Sequence, residues 1–335
     1  MKVIHLLPAL EQGGVETVVC DLVRELGKRW ESVVVSKGGR LVEKIEAAGG
    51  RHIALDLKSK NPLTFFSRAW KLRRILRQEK SDLVCAHSRV PAWLFVWANR
   101  GLGLRWITYA HGANSVSRYS AVMTKGDLII VPSRFLADYL KANYGTPEEK
   151  IRVIPNSVDM ERFDPDHLDQ SFIAEKKREW GIREGDRVIM AIGRITPVKG
   201  LEDLIRTTPS DVKLVIVGGA DRHHLEYERR LRAIAGPNVV FAGVQAKIPE
   251  CLSIADEVVS ANTTKPETFG LSVIEAYAMN RPVRAKRFGG VAEVMEAVEK
   301  SGKPTLREAV ISLYTPDLQA KQTLAAYREL VNNMV

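Results

Sequence analysis

Cysteine is scarce in this chain. Cys20, Cys85 and Cys251 lie far apart, with no C-x-x-C pair and no histidine at zinc spacing. A disulfide framework and a structural zinc are thereby excluded, and a reducing compartment fits. Long hydrophobic runs are missing as well. The longest uncharged apolar stretch is Val90 to Ala98, far short of the about 20 residues that span a bilayer. Met1-Lys2-Val3-Ile4-His5-Leu6-Leu7 is too short and too soon interrupted for a secretory leader. The expectation is therefore a cytoplasmic protein without a membrane span. No dinucleotide fingerprint G-x-G-x-x-G and no P-loop G-K-[ST] occurs, which argues against a nicotinamide enzyme and a P-loop nucleotidase. There is no solenoid-length repeat and no low-complexity tract.

What is present is a soluble, two-domain composition. The chain has 335 residues, 45% of them apolar and 27% charged, enough for two domains and unlike a disordered chain. Its net charge is +10, and the surplus is uneven. Residues up to Pro165 hold 26 Lys+Arg against 17 Asp+Glu, and the rest hold 24 against 23. One half therefore meets something anionic. The densest basic stretch, Lys58 to Arg89, carries nine cations against Glu79 and Asp82. Within it Leu63, Phe66, Ala69, Trp70, Leu72, Arg73 and Leu76 approximate a helical period, with Arg68, Lys71, Arg74 and Arg77 opposite. Two readings stand: a solvated face whose apolar side packs on its own domain, or a basic amphipathic helix lying on anionic lipid.

Short β-rich runs alternate with helical patterns. Strands are predicted at 2–7, 32–36, 52–55, 83–86, 106–109, 128–131 and 151–154, then at 188–192, 213–217, 239–242, 257–260 and 282–285. Helices are predicted between them, including Val15–Lys28, Phe135–Asn143, Leu201–Arg206, His224–Ala235 and Ser272–Met279. Apolar strands separated by helices mean parallel sheets covered on both faces. Twelve strands exceed one compact doubly wound sheet, so the expected fold class is α/β with two Rossmann-like doubly wound domains facing each other across a cleft. The expected division is 1–165 (basic), 166–315, and a final helix in 316–335 that packs back towards the first domain. The linker is placed near Asn156–Arg187, where Pro155, Pro165 and the charged run 175–179 break the rhythm.

Three segments carry chemistry. Gly13-Gly14 follows the first strand and opens a helix, where free N–H groups and a partial positive charge suit an anion. Gly193-Arg194-Ile195-Thr196-Pro197-Val198-Lys199-Gly200 follows the strand at 188–192. Strand-end loops face the ligand crevice, and Arg194 and Lys199 suit a diphosphate, one as a fork and one as a point charge. Lys265-Pro266-Glu267-Thr268-Phe269-Gly270-Leu271-Ser272-Val273-Ile274-Glu275 pairs two carboxylates around a helix N-terminus. Carboxylates there suit hydroxyl groups, as ribose and sugar rings present.

In order, Gly13-Gly14, Ala110-His111-Gly112, Val131-Pro132-Ser133, Val153-Ile154-Pro155-Asn156-Ser157-Val158-Asp159, Gly193-Arg194…Lys199-Gly200, Glu267-Thr268-Phe269-Gly270…Glu275-Ala276, Arg281-Pro282-Val283 and Gly289-Gly290 resemble the retaining glycosyltransferases of family 4. The resemblance covers residues 1 to about 295. It implies a GT-B fold, with acceptor on the first domain and nucleotide sugar mostly on the second. By that resemblance the catalytic set is Glu267, His111, Arg194 and Lys199. Arg194 and Lys199 hold the donor diphosphate, Glu267 the transferring sugar, Glu275 the ribose, and the amides of Phe269, Gly270 and Leu271 complete the contacts. Gly13 and Gly14 approach the diphosphate from the other domain, and His111 contacts the sugar ring.

The same resemblance implies a retaining hexosyltransferase without metal or other cofactor, since no D-x-D pair stands where a metal-dependent transferase needs one. A UDP-sugar donor and a lipid-linked or cell-surface glycan acceptor, such as a lipopolysaccharide core, are expected. The partners are then the nucleotide sugar, the acceptor and an anionic membrane surface, at the inner face of the cytoplasmic membrane, with no nucleic acid. Two departures are visible. Asn280 stands where the family has glycine before Arg281-Pro282, and the chain runs from Glu293 to Pro304 where the family has a further strand and helix, so the second domain is expected to be shortened there. A sugar-nucleotide epimerase of the same architecture and a basic nucleic-acid-binding protein are the alternatives. The first does not explain the Arg194, Lys199, Glu267 and Glu275 set, and the second lacks any recognisable binding signature.

Overall fold

A computed structural model of the chain describes residues 1–11, 13–27, 29–262 and 265–332. Two compact units emerge: Met1–Ser157 with Pro316–Val335, and Val158–Thr315. The first runs β1 (Lys2–Leu6), α1 (Gly14–Leu26), β2 (Glu31–Ser36), α2 (Val42–Ala47), β3 (Arg51–Ala54), α3 (Phe65–Glu79), β4 (Leu83–Ala86), α4 (Arg89–Ala98), β5 (Trp106–Tyr109), β6 (Leu128–Val131), α5 (Arg134–Tyr144) and β7 (Ile151–Val153). The second runs α6 (Gln170–Glu179), β8 (Arg187–Ile192), α7 (Leu201–Thr207), β9 (Val212–Val217), α8 (Leu225–Ile234) and β10 (Val239–Gly243). It continues with α9 (Ile248–Ile254), β11 (Glu257–Ser260), α10 (Leu271–Ala278), β12 (Val283–Ala285), α11 (Gly290–Lys300) and α12 (Leu306–Leu313). Helix α13 (Pro316–Asn332) then returns to the first unit. The predicted end of the first helix, Lys28, lies outside the described residues.

Every strand pairs in parallel. The order is β3-β2-β1-β4-β5-β6-β7 in one sheet and β10-β9-β8-β11-β12 in the other. Parallel neighbours need crossovers, which the helices supply, so both faces of each sheet are covered and the central strands are largely apolar. Leu83–Ala86 and Leu128–Val131 are buried along their whole length. In the first unit, α3 and α4 close one face through Leu72, Leu76, Leu94 and Phe95. On another side α1 and α13 meet, where Leu22, Leu26 and Trp30 pack on Leu324, Tyr327 and Leu330. Tyr327 is wholly buried, edge-on to Trp30 at 5.5 Å, and accepts a hydrogen bond from Cys85 Sγ at 3.2 Å.

Several motif residues have structural roles. Ser133 caps α5, its Oγ accepting from Leu136 N at 3.2 Å. Ser157, closing the first unit, donates to Gln319 Oε1 at 2.9 Å, and Val158, opening the second, donates through its amide to Tyr314 O at 2.9 Å. Asn280 is left-handed, with φ +53°, and its Oδ1 accepts from Arg307 N at 2.9 Å. The segment 156–187 is not a structureless linker. Val158 and Phe163 enter the core of the second unit, and the charged run 175–179 lies on α6, which Asp169 caps and Ile173 anchors. A solvated helix face explains its charges without a chain break.

Candidate active site

In each sheet the strand order reverses beside the first strand of the unit, and a ligand crevice forms at the carboxyl ends of the two strands that flank the reversal. In the second unit those strands are β8 and β11. A narrow recess opens there, lined by Gly193, Arg194, Lys199, Ser260, Ala261 and Asn262. The loop after β8 is pinned to the end of β9, with Gly193 N donating to Val217 O at 2.9 Å and Ile195 N to Gly219 O at 3.1 Å. A single 3-10 turn, Pro197–Lys199, then ends at Gly200, with φ +63°. A Cβ at Gly200 would lie 2.0 Å from Ala261 O, so only glycine lets this loop press against the end of β11. That approach places Lys199 in the recess.

The carboxylate arrives from the other side. Lys199 Nζ donates to Glu267 Oε1, a contact spanning 68 residues of sequence. The loop bearing Glu267 is braced by Gly289-Gly290. Gly290 N donates to Glu267 O at 2.8 Å, and a Cβ on Gly290 would lie 2.1 Å from Thr268 O. Phe269 is buried edge-on to Tyr314 at 5.7 Å. Gly270, with φ +97°, then caps α10, which opens at Leu271 shortly after the carboxylate-bearing loop. Arg194 is exposed at the rim. Glu275 is partly exposed on α10, yet burial of its carboxyl pushes its pKa up to about 7, against the charge of Arg162. The structure thus brings Lys199 against Glu267, with Arg194 lining the same recess, while Phe269, Gly270 and Leu271 follow Glu267 in the chain and Glu275 lies within α10.

Gly13, Gly14 and His111 belong to the first unit. Gly13, in extended backbone, precedes α1, and Gly14 is its first residue. His111 follows β5 and joins a row of neighbouring rings that sequence reasoning missed. His5 Nδ1 lies 3.0 Å from His87 Nε2, and His87 Nδ1 lies 3.2 Å from His111 Nε2. Tyr109 stacks on His87 at 4.6 Å between ring centroids. Burial holds His5 and His111 down at about 4 and His87 well below the ordinary range, so all three rings are neutral. The only sequence signal was one histidine within a strand and two just after strands, 82 and 24 residues apart.

Comparison with known proteins agrees with this geometry. Residues 12–162 match the family model Glycosyltransferase Family 4, and residues 172–303 match Glycosyl transferases group 1. The chain belongs to the family 4 and group 1 glycosyltransferases. It is 31% identical over 179 residues to an uncharacterized glycosyltransferase, MJ1607, of Methanocaldococcus jannaschii, covering 50% of this chain and 44% of that one. The chain spans 37 to 62% of the length of the curated relatives it matches. A glycosyltransferase crystal structure from Rickettsia africae superposes with a TM-score of 0.84 at 25% identity, covering 99% of both chains. The Anabaena protein HepE, crystallised with UDP and glucose, shares the fold with a TM-score of 0.83 at 18% identity, covering 98% of this chain and 100% of that one. Both units have the α/β architecture of GT-B glycosyltransferases.

The basic stretch of this glycosyltransferase is arranged differently from its helical period. Arg68, expected on the solvent side, is buried, and its guanidinium donates to the carbonyls of Asp56, Ser59, Asn61 and Thr64 at 2.8–3.2 Å. Phe66 and Trp70, expected on the packed side, are 62% and 58% exposed, and Leu63 is 90% exposed. The seam against α4 is already filled by Ala69, Leu72 and Leu76. Phe66, Trp70, Arg74 and Arg77 therefore form one exposed stripe on α3, apolar at one end and basic at the other, with exposed Leu63 in the 3-10 turn just before it. Arg74 lies over the Trp70 ring at 5.2 Å. Beside it opens an apolar cavity of about 310 Å³, lined by Phe65, Arg68, Val90, Trp93 and Tyr119 among others. Among the described residues no helix is long and apolar enough to cross a membrane.

Proposed function

We propose that this protein is a retaining, metal-independent hexosyltransferase that uses a UDP-sugar to extend a lipid-linked or cell-surface glycan, such as a lipopolysaccharide core. The observation that carries the reading is the recess at the ends of β8 and β11, lined by Arg194 and Lys199, with Glu267 bonded to Lys199 and standing shortly before α10 in the chain. In transfer, the bond from the sugar anomeric carbon to the diphosphate oxygen breaks, and the acceptor oxygen bonds to that carbon on the same face. The acceptor proton passes to the departing phosphate oxygen. Charge grows on the diphosphate, and Lys199, Arg194 and the helix N-terminus meet it with preorganised positive ends. Glu267 orients the sugar through its hydroxyls, and Glu275 takes the ribose. His111 bonds the ligand of the first unit as a hydrogen-bonding partner. The choice of uridine is supported by HepE, a protein of the same fold crystallised with UDP and glucose.

The acceptor reading rests on the first unit's charge and on the α3 stripe. Leu63, Phe66 and Trp70 suit the interfacial zone of a bilayer, and Arg74 and Arg77 suit anionic headgroups. The protein then works as a peripheral enzyme on the inner face of the cytoplasmic membrane. The test is a thermal-shift series with UDP, GDP and ADP on wild type and on Lys199→Ala. A nucleotide at 100 times its Kd stabilises by about 2.7 kcal/mol, so UDP raises the wild-type midpoint by several degrees and Lys199→Ala loses most of that shift. An equal response of both proteins, or a response to GDP alone, overturns the corresponding assignment.

A further inference from the structure

Beside α3 the first unit holds a cavity of about 310 Å³ that no step of the transfer uses. Lys60 comes to it from the loop after β3, Phe65 and Arg68 from α3, Val90 and Trp93 from α4, and Tyr119 from the segment after β5. Four of these six side chains are apolar or aromatic. The polar edge of Trp93 is engaged within the protein, Nε1 donating to Tyr119 O at 2.9 Å, so ring surface is what it offers a ligand. Ser59, also in the lining, accepts from Asn61 N at 3.2 Å. The hydroxyls of a glycan would find few partners here, and each one left unmet is costly. A hydrocarbon needs none. An apolar cavity of about 150 Å³ takes benzene, so about twice that volume holds on the order of ten carbons.

Charge describes the other end of the ligand. Arg68 is only 6% exposed. Its Nε donates to Thr64 O and Oγ1, its Nη1 to the carbonyls of Asp56 and Ser59, and its Nη2 to that of Asn61. A guanidinium carries five N–H groups, so one on Nη2 is left over, and no carboxylate bonds the group among the described residues. The Asp56 carboxylate is taken by Lys58 N and Ser59 N at 2.9 and 3.0 Å. Lys60 is exposed, Arg89 lies over the Tyr119 ring at 5.4 Å, and Lys125 over the Trp93 ring at 5.3 Å. An apolar cavity with a buried positive charge in its wall and cations around it complements an amphiphile with an anionic head. Phe65 meets the exposed Phe66 edge-on at 5.5 Å, so the cavity wall continues into the apolar end of the α3 stripe.

We propose that this cavity holds one hydrocarbon chain of an anionic acceptor lipid, with the lipid phosphate at Lys60 and Arg68. Its service as acceptor rests on the proposed function; the binding does not.

The test is isothermal titration of the full-length protein, without nucleotide, with ethyl, butyl, hexyl, octyl, decyl, dodecyl and tetradecyl phosphate below micelle formation. Each added methylene is expected to tighten binding by up to about fourfold, and the gain stops near decyl. Trp93→Ala, which enlarges the cavity, moves that plateau to a longer chain, and Val90→Phe, which fills it, moves it to a shorter one. Should either variant fail to fold, the wild-type series still decides. Decyl glucoside, with the chain but no charge, is expected to bind about tenfold more weakly than decyl phosphate, and equal binding overturns the anionic head. Affinity independent of chain length overturns the inference. So does affinity that keeps rising through tetradecyl phosphate, the mark of adsorption to an open surface, and so does lactose binding as tightly as decyl phosphate, which assigns the cavity to the glycan. Should the plateau hold in a protein that transfers no sugar, the transferase reading fails and the lipid site stands.

Discussion

Replacing Glu267 by glutamine separates two jobs that its contact with Lys199 entangles. The side chains are 26% and 16% exposed, so the pair lies between a surface bridge and a buried one. Coulomb attraction at about 4 Å and an effective dielectric near 20 amounts to about 4 kcal/mol. Hydration forgone by both groups cancels much of it. The net value falls between the at most about 1 kcal/mol of exposed pairs and the about 3–5 kcal/mol of breaking a buried one, so about 1–2 kcal/mol is reasonable. A diphosphate reaching for Lys199 must compete with that carboxylate. Glu267→Gln removes the competitor at constant shape, and UDP is expected to bind about 5–30-fold tighter. Transfer, which needs the carboxylate on the sugar, is expected to fall about 100-fold or more. Isothermal titration with UDP and a donor-turnover assay read the two effects separately. A loss of UDP affinity in Glu267→Gln as large as that in Lys199→Ala would refute the reasoning. The carboxylate would then be aiming the ammonium rather than competing for it.

Further substitutions probe the remaining links. Glu275, raised by burial from 4.5 to about 7, keeps in the folded state a proton that the unfolded chain loses, so its contribution is greatest at low pH and falls as pH rises from about 4.5 to 7. Glu275→Gln is accordingly more stable relative to wild type at pH 8 than at pH 5, by up to about 3 kcal/mol, and equal urea-midpoint offsets at both pH values would contradict this. Arg68→Ala leaves four backbone carbonyls in residues 56–64 without their donor and is expected to cost about 3 kcal/mol, with Arg68→Lys recovering little, as measured by chemical denaturation. Tyr327→Ala opens a cavity between α1 and α13 and costs about 3–5 kcal/mol, whereas Tyr327→Phe, which loses only the hydroxyl bonds, costs about 1 kcal/mol. Near-equal effects of the two Tyr327 variants would mean that α13 is held by its surface and not by this ring.

Most of the fold was legible because parallel strands are local, short and apolar on both faces. Leu83–Ala86, Trp106–Tyr109, Leu128–Val131 and Glu257–Ser260 coincide with their sequence-derived bounds, and the others differ by a residue or so at their ends. The order of the glycine, cation and carboxylate motifs also identified the family, because loops at strand ends repeat local chemistry that backbone geometry demands. Gly200 and Gly290 could be read as turn residues. Their real constraint, the approach of Ala261 and Thr268 carbonyls, is visible only in the fold.

By itself, then, the sequence determined where strands and helices fall, how charge divides between the two parts of the chain, and which residue types serve a nucleotide sugar. Tertiary structure decided the rest. The Lys199–Glu267 contact and the His5–His87–His111 chain join residues that only strand order makes neighbours. Helical period could not say which apolar residues of α3 the seam had room for. Ala69, Leu72 and Leu76 fill it, Arg68 turns inward to carbonyls, and Phe66 and Trp70 are left outside. The physical reason is common to all three cases. Spacing along a chain specifies a face or a turn, but partners are set by the packing of other elements against it, which carries no signature in the local sequence.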